Sequence, residues 1–304
     1  MIKFSIVIPC FNAAETLPET LASLADQTCE DWEAICVDDG STDGTFDLIA
    51  RAAARDRRIR AVRNRGKGPS RARNLGVALA KGDLIAFCDA DDLFAPTKLM
   101  QLDAVFGCLG ADAVFGRVAF FSKTPGDSGV TSAAPAGPLS VADLLGENPT
   151  CTLSNLAVRR DVFLATGGFA ADMAHNEDLD WLIRLCGSGA KVIGLPSILV
   201  HYRTSPAGLS SDFAAMAEGR RRALASARAL GFAPGRAAEA THLRYLARRA
   251  LRLDDPAALR LVLCGVAQSP SAFLFPLRRG LATLVAAFAA PLMPRDLRRA
   301  LFRR

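Results

Sequence analysis

The feature that most constrains this chain is an alternation in its first ninety residues: short apolar runs, each stopping at a polar or turn-forming cluster, with helix-periodic segments between them. Phe4-Ser5-Ile6-Val7-Ile8 ends at Pro9, with Asn12 just beyond. Trp32 to Val37 ends at Asp38-Asp39-Gly40-Ser41. Ile59 to Val62 is a third run, and Leu84 to Cys88 ends at Asp89-Ala90-Asp91-Asp92. Short apolar runs bounded by turn formers read as strands, and the fourth, nearly all apolar, reads as buried on both faces. Between them, Leu17, Leu21 and Leu24 recur at helical spacing behind Asn12 and Glu15, which stand where an N-cap and its third helical residue would. Phe46, Ile49, Ala50 and Ala53 mark a second helix. Leu75, Ala78 and Leu79 mark the buried face of a third, which Ser70 can cap. Strands alternating with helices of this length predict an α/β fold with a parallel sheet and right-handed crossovers.

Open α/β sheets bind ligands at the carboxyl ends of their strands. Here that edge collects Asn12, Asp38-Asp39 and Asp89-Ala90-Asp91-Asp92. Any one cluster fits an ordinary turn, but four or more carboxylates on one edge repel unless a cation or ligand resolves them. Hard oxygen donors in small number suit Mg²⁺ or Mn²⁺, with substrate phosphates completing the shell. No GxxxxGK[ST] loop occurs, and no GxGxxG follows the first strand, so a P-loop or dinucleotide-binding enzyme is excluded. A phosphate-bearing substrate must then be held by metal and basic side chains. Arg73, opening a helix at the presumed ligand edge, is the candidate within the basic stretch 63–73.

Charge divides the chain in two. Residues 1–213 carry 20 Lys/Arg against 26 Asp/Glu, whereas residues 214–304 carry 17 Arg against 5 acids. The expected organisation is therefore a catalytic domain over 1–213 and a basic helical region over 214–304. The eight cysteines are scattered without a CxxC pair, several inside apolar runs, and read as reduced core thiols of a cytosolic protein. The first apolar run is too short for an export signal.

Four segments together carry a resemblance: Ser5-Ile6-Val7-Ile8-Pro9-Cys10-Phe11-Asn12, Val37-Asp38-Asp39-Gly40-Ser41-Thr42-Asp43-Gly44-Thr45, Ala72-Arg73-Asn74-Leu75-Gly76 and Phe87-Cys88-Asp89-Ala90-Asp91-Asp92. In order and spacing the chain resembles the family 2 inverting glycosyltransferases over about residues 3–210. Gly167-Gly168-Phe169 and Asn176-Glu177-Asp178-Leu179-Asp180-Trp181 resemble that family's acceptor-side segment. The resemblance implies a GT-A fold and a nucleotide-sugar donor, in this family usually of uridine. Pro9, Phe11 and Asn12 would line the base and ribose pocket, with Glu15 near the ribose. Asp38 would accept from the base, Arg73 would sit beside the nucleotide, and Asp89 and Asp91 match the DxD motif. Asp89 would face the ribose and Asp91 the metal bridging the diphosphate, while Asp178 matches the general base. Gly168, Glu177, Asp180 and Trp181 fall on the acceptor side.

Asp178 also fits a plainer role, since Glu177 and Asp178 open a helix where the dipole favours acids. Many relatives carry a His two residues after a Tyr-Arg pair. Here Tyr202-Arg203 is followed by Thr204 and Ser205, so Arg203 becomes the expected diphosphate contact and His201 is given no ligand role. The stretch resembles bacterial exopolysaccharide enzymes acting on saccharide or lipid-linked acceptors. A nucleotidyltransferase would be expected to carry a glycine-rich phosphate-binding signature near its first strand, and a catalytically silent binding module is disfavoured because Asp91 and Asp178 are both present. The basic region reads as helices over 214–230, 236–253 and 256–267 and a distal pair. Its apolar stretches, Leu261 to Leu277 and Gly280 to Pro294, are short or broken by proline and flanked by arginine. That pattern suits an interfacial anchor on the anionic inner face of the cell membrane, with a packed helical appendage or a dimer surface as the alternative. Without interleaved aromatics or a known motif, nucleic acid is not an expected partner.

Overall fold

A computed structural model of the chain describes residues 2–135, 137–204, 212–294 and 297. The segment Ser205–Ser210, whose sequence replaces the family's His-bearing pattern, lies outside them. The strands are β1 (Phe4–Cys10), β2 (Trp32–Asp38), β3 (Ile59–Arg63), β4 (Leu84–Phe87), β5 (Leu93–Phe94), β6 (Ala113–Phe121), β7 (Leu156–Arg159) and β8 (Val192–Arg203). The helices are α1 (Leu17–Ala25), α2 (Thr45–Arg55), α3 (Pro69–Ala78), α4 (Lys98–Leu109), α5 (Val141–Leu144), α6 (Arg160–Ala165), α7 (Glu177–Gly187), α8 (Phe213–Ala229), α9 (Arg236–Arg252), α10 (Ala257–Gln268), α11 (Pro270–Leu274) and α12 (Leu277–Ala289).

All eight strands form one sheet in the order β3-β2-β1-β4-β7-β6-β8-β5. β1 pairs in parallel with β2 and β4, and β2 with β3, as the sequence alternation requires. β7 then runs antiparallel to both β4 and β6, β8 is parallel to β6, and β5 is antiparallel to β8. The register Pro9↔Val37 and Cys10↔Asp38 brings the ends of β1 and β2 level. Their acidic and amide turn residues therefore emerge side by side.

The chain divides into two compact units. The first comprises residues 1–140 and 149–226 and holds the sheet. The second comprises residues 141–148 and 227–304, and is helical. The core of the first unit contains the fully buried Phe4, Trp32, Phe87, Phe115, Phe121, Phe163 and Trp181. In the second, Ala240, Ala247, Val262, Phe273 and Ala287 form the core. Arg244 is buried there and donates to the carbonyls of Ala272, Phe273 and Phe275, the last carbonyls around the end of α11.

Local expectations are corrected at four places. α1 begins at Leu17 with Thr16 at its N-cap, so Asn12 is not a cap; it has a φ of 47° and holds a loop instead. Gly68 is the N-cap of α3, and the Ser70 hydroxyl donates 2.6 Å to the Met173 carbonyl. The buried face of α3 is Ala72, Arg73, Gly76 and Val77, rotated from Leu75, Ala78 and Leu79. Gly76 permits this, because a Cβ there would stand 2.4 Å from Val7 Cγ1. All eight cysteines are free, but only Cys10, Cys36 and Cys88 are buried; Cys108, Cys151 and Cys264 are exposed.

Candidate functional site

The ends of β1 and β2 are tied together by Asn12. Its Oδ1 accepts from the Thr42 amide at 2.9 Å, and its own amide donates to Ser41 Oγ at 3.0 Å. Asp38 is buried and turned into its own loop, accepting weakly from the amides of Gly40 and Ser41. Asp39 accepts from Asn64 and the Gly68 amide, which fixes the loop ahead of α3. Pro9 is half-buried, and Phe11 (62% exposed) and Glu15 stand open beside this edge.

Arg73 organises the rest. Close packing of α3 on β1 points its guanidinium inward, where it donates to Asp89 Oδ1 at 2.6 Å and Glu177 Oε1 at 2.9 Å. One buried cation thus joins the end of β4 to the start of α7. Burial works against its charge, but Asp89, Glu177 and Asp178 together raise its pKa. Asp178, in the first turn of α7, lies within electrostatic reach of Arg73 and Asp89, and burial raises its carboxyl pKa. Burial also raises Glu177 to about 7, against the pull of Arg73.

Asp91 is raised to about 6, first by burial and then by the neighbouring Asp89 charge. Asp92 is fully buried and structural. It accepts from the Arg203 amide at 3.0 Å and from Thr152 Oγ1 at 3.4 Å. Arg203 donates to the Asp91 carbonyl and pairs with Glu19 at 2.5 Å, so the side chain reaches the DxD loop. His201 pairs with Leu93 across β8 and β5; its Nδ1 is buried without a hydrogen-bond partner, and burial lowers its pKa.

Among the described residues no group of three or more His, Cys, Asp or Glu side chains forms a metal-ligand set. A half-buried Asp91 carboxylate disfavoured as an anion by burial and by the Asp89 charge nevertheless fits a divalent cation that takes one or two carboxylates and completes its shell with phosphate oxygens.

The 167–181 segment separates its residues by role. Gly168, at φ +62°, sits against Asn74 and Phe163. Asn74 clamps the loop, donating to the Phe169 carbonyl and accepting from its amide. Trp181 is wholly buried, packed on Phe163 and Phe169, with Nε1 donating to Thr166 Oγ1 at 3.0 Å. Its indole therefore belongs to the core. Asp180 accepts from Arg184 and Ser226.

Several residues were missed by sequence reasoning. Ser154 Oγ accepts from the Asp89 amide at 2.8 Å, and Thr152 Oγ1 reaches both Asp89 and Asp92, so the turn at 152–155 supports the DxD loop. The Lys98 ammonium is fully buried, bonded to the Ser154 carbonyl and held 3.4 Å over the Phe94 ring; burial lowers it to about 7. Gly219 lets α8 approach the loop before α7, since a Cβ there would meet the His175 carbonyl oxygen at 2.2 Å. Met216, on the same helix, accepts from Asn176 at 2.7 Å. The signal available was polar residues, Thr152, Ser154 and Asn155, interrupting an otherwise apolar stretch.

This arrangement agrees with three comparisons. The model of "Glycosyl transferase family 2" matches residues 5–167. A protein of Rickettsia bellii, described as an uncharacterized glycosyltransferase, is 39% identical over 97 residues, which is 32% of this chain and 14% of that protein. The match thus spans well under two thirds of that relative. S. aureus TarS 1–349 in complex with UDP superposes with a TM-score of 0.62 at 16% identity, covering 95% of this chain and 91% of that 1–349 fragment. The mannosyltransferase PcManGT from Pyrobaculum calidifontis, in complex with GDP-Man and Mn²⁺, superposes with a TM-score of 0.61 at 20% identity, covering 99% and 83%. At these identities the structural likeness establishes the shared GT-A architecture. The family match extends over more than half of the chain and includes the strand ends, Arg73 and the DxD loop, so the protein belongs to glycosyl transferase family 2.

Proposed function

We propose that this chain is an inverting glycosyltransferase that moves a sugar from a nucleotide-sugar, of the UDP class, to a saccharide or lipid-linked saccharide in surface or exopolysaccharide synthesis. The observation that carries the reading is the Asp89–Arg73–Glu177 bridge, which gathers Asp89, Glu177 and Asp178 around one buried guanidinium. The UDP and GDP-Man complexes of the two structural neighbours, and the Mn²⁺ in one, support the donor and cation classes.

In this reading Pro9, Phe11, Asn12, Glu15 and Asp38 receive the base and ribose, and Asp89 the ribose. Arg203 approaches the diphosphate. Mn²⁺ or Mg²⁺ held by Asp91 would neutralise charge on the departing diphosphate. Asp178 accepts the acceptor hydroxyl's proton, and its raised pKa makes it a stronger base than an exposed aspartate. Attack opposite the leaving group inverts the anomeric carbon. Gly168 and Asp180 shape the acceptor side by holding the 167–184 loop and helix in place, while Glu177 orients Arg73. Catalysis is assigned to residues 1–213. The basic helical region 214–304 is assigned to peripheral attachment at the cytoplasmic face of an anionic membrane; no described helix is long and apolar enough to cross one.

The test is a donor screen with purified protein, Mn²⁺, and UDP-, GDP- and dTDP-sugars, scored by released nucleotide and by the anomeric configuration of product. Release of UDP that a chelator abolishes, with inverted product, is expected. Retained configuration, or turnover undiminished in chelator, would overturn the mechanism.

A further inference from the structure

α12 and the turn after it are built inside out. Gly280, Thr283, Ala287 and Ala290 face the bundle and are buried. Gly280 is forced to be small, because a Cβ would stand 2.3 Å from the Leu274 carbonyl oxygen. The large apolar side chains point the other way: Leu277, Leu281, Val285, Phe288 and Leu292 are each more than half exposed. At 100° per residue the first four fall within an arc of about 80° and run for about 17 Å along α12, and Leu292 follows in the 3-10 turn Ala290–Leu292. Ordinary surface helices place large residues inward and small or polar ones outward. Phe275, also more than half exposed, extends the face past the start of the helix.

Along this stretch the chain's own charge is of one sign, with Asp254 and Asp255 beside Ala287 and Pro291 at its far end. Between Pro256 and Pro294 the chain carries Arg260, Arg278 and Arg279 and no acidic residue. Arg278 is exposed and lies at the edge of the apolar arc. A second copy of this stretch would bring arginines without carboxylates to receive them. A layer of anionic headgroups over acyl chains matches both features, the cationic border and the apolar centre. The helix is too short to span, which leaves an orientation parallel to the membrane plane.

We infer that the Leu277–Leu281–Val285–Phe288–Leu292 face is a lipid-inserting surface, entering the boundary between headgroups and acyl chains of an anionic bilayer while Arg278 engages the phosphates. This rests on the proposed membrane attachment and specifies where and how it occurs: apolar insertion, and not charge attraction alone.

The experiment uses the full chain with vesicles of phosphatidylcholine, with and without phosphatidylglycerol, at low and high salt. The native protein is expected to bind the anionic vesicles and to retain part of that binding in high salt, since screening weakens charge attraction but not apolar burial. Leu281→Gln with Phe288→Gln should lower the partition coefficient by about a hundredfold at high salt, as each large side chain inserted carries about tenfold. Arg278→Gln should reduce low-salt binding and leave the salt-resistant part. Far-UV circular dichroism and nucleotide release with a soluble acceptor should be unchanged in both variants. If the native chain ignores both vesicle types, the attachment and this face fall together. If it binds but the double variant binds equally well in high salt, the attachment stands and the assignment of this face is overturned. A native dimer that the double variant splits, without vesicle binding, would make the face a self-interface and refute the inference.

Discussion

The two units use side-chain size in opposite ways. The sheet unit buries its largest residues, with Phe87, Phe163, Phe169 and Trp181 packed ring against ring and Trp181 on α7, the helix that carries Glu177 and Asp178. The helical unit centres largely on alanines and leaves Phe275, Phe288 and a row of leucines outside. A catalytic constellation needs positions held to fractions of an ångström, and a dense aromatic core beneath it supplies that rigidity. Alanine faces let helices approach closely and free the large side chains for another surface. The contrast teaches that apolar content alone does not locate a core: the same residue types serve packing in one unit and exposure in the other.

The largest expected effect lies in the sheet unit. Asp178→Asn should lower transfer by on the order of 10²-fold or more while donor affinity stays within a few-fold. Steady-state kinetics and nucleotide binding check this, and an equal loss of both would return Asp178 to helix capping. Next, Phe163→Ala should destabilise the first unit by about 3–5 kcal/mol in denaturant titration, because it opens a void among the three remaining aromatic rings. A cost below about 1 kcal/mol would show the cluster to be loosely packed and undo the comparison. In the second unit Arg244→Met should cost about 1–3 kcal/mol, since it strips the partner from the carbonyls at the end of α11. Smallest of all, Phe288→Ser should change stability in solution by no more than about 0.5 kcal/mol, as expected for an exposed residue. A loss comparable to that of Phe163→Ala would mean that Phe288 is core after all.

Much of the fold was legible because it rests on local periodicity. The four parallel strands and the main basic-region helices appear within a few residues of where apolar spacing predicts them. The antiparallel strand β7, inserted between β4 and β6, was not legible, since its four residues carry no alternation that separates them from a turn. The rotation of α3 was missed for a related reason. Leucine spacing indicates a buried face only when the packed residues are large, and here Gly76 against Val7 sets the contact. Trp181 shows the converse: the resemblance set it among acceptor-side residues, while its packing partners, Phe163 and Phe169, come from outside its helix.

By itself the sequence determined the α/β alternation, the acidic residues gathered at strand ends, and the opposite charge of the two regions. These follow from spacing and composition, which act over a few residues. Tertiary structure alone decided that one arginine would hold Asp89 and Glu177 together, that Thr152 and Ser154 would support the DxD loop, and that α12 would turn its large side chains outward. Each depends on contacts between residues dozens of positions apart, or on which face of a helix finds room against its neighbours. Those are properties of packing, and no local pattern encodes them.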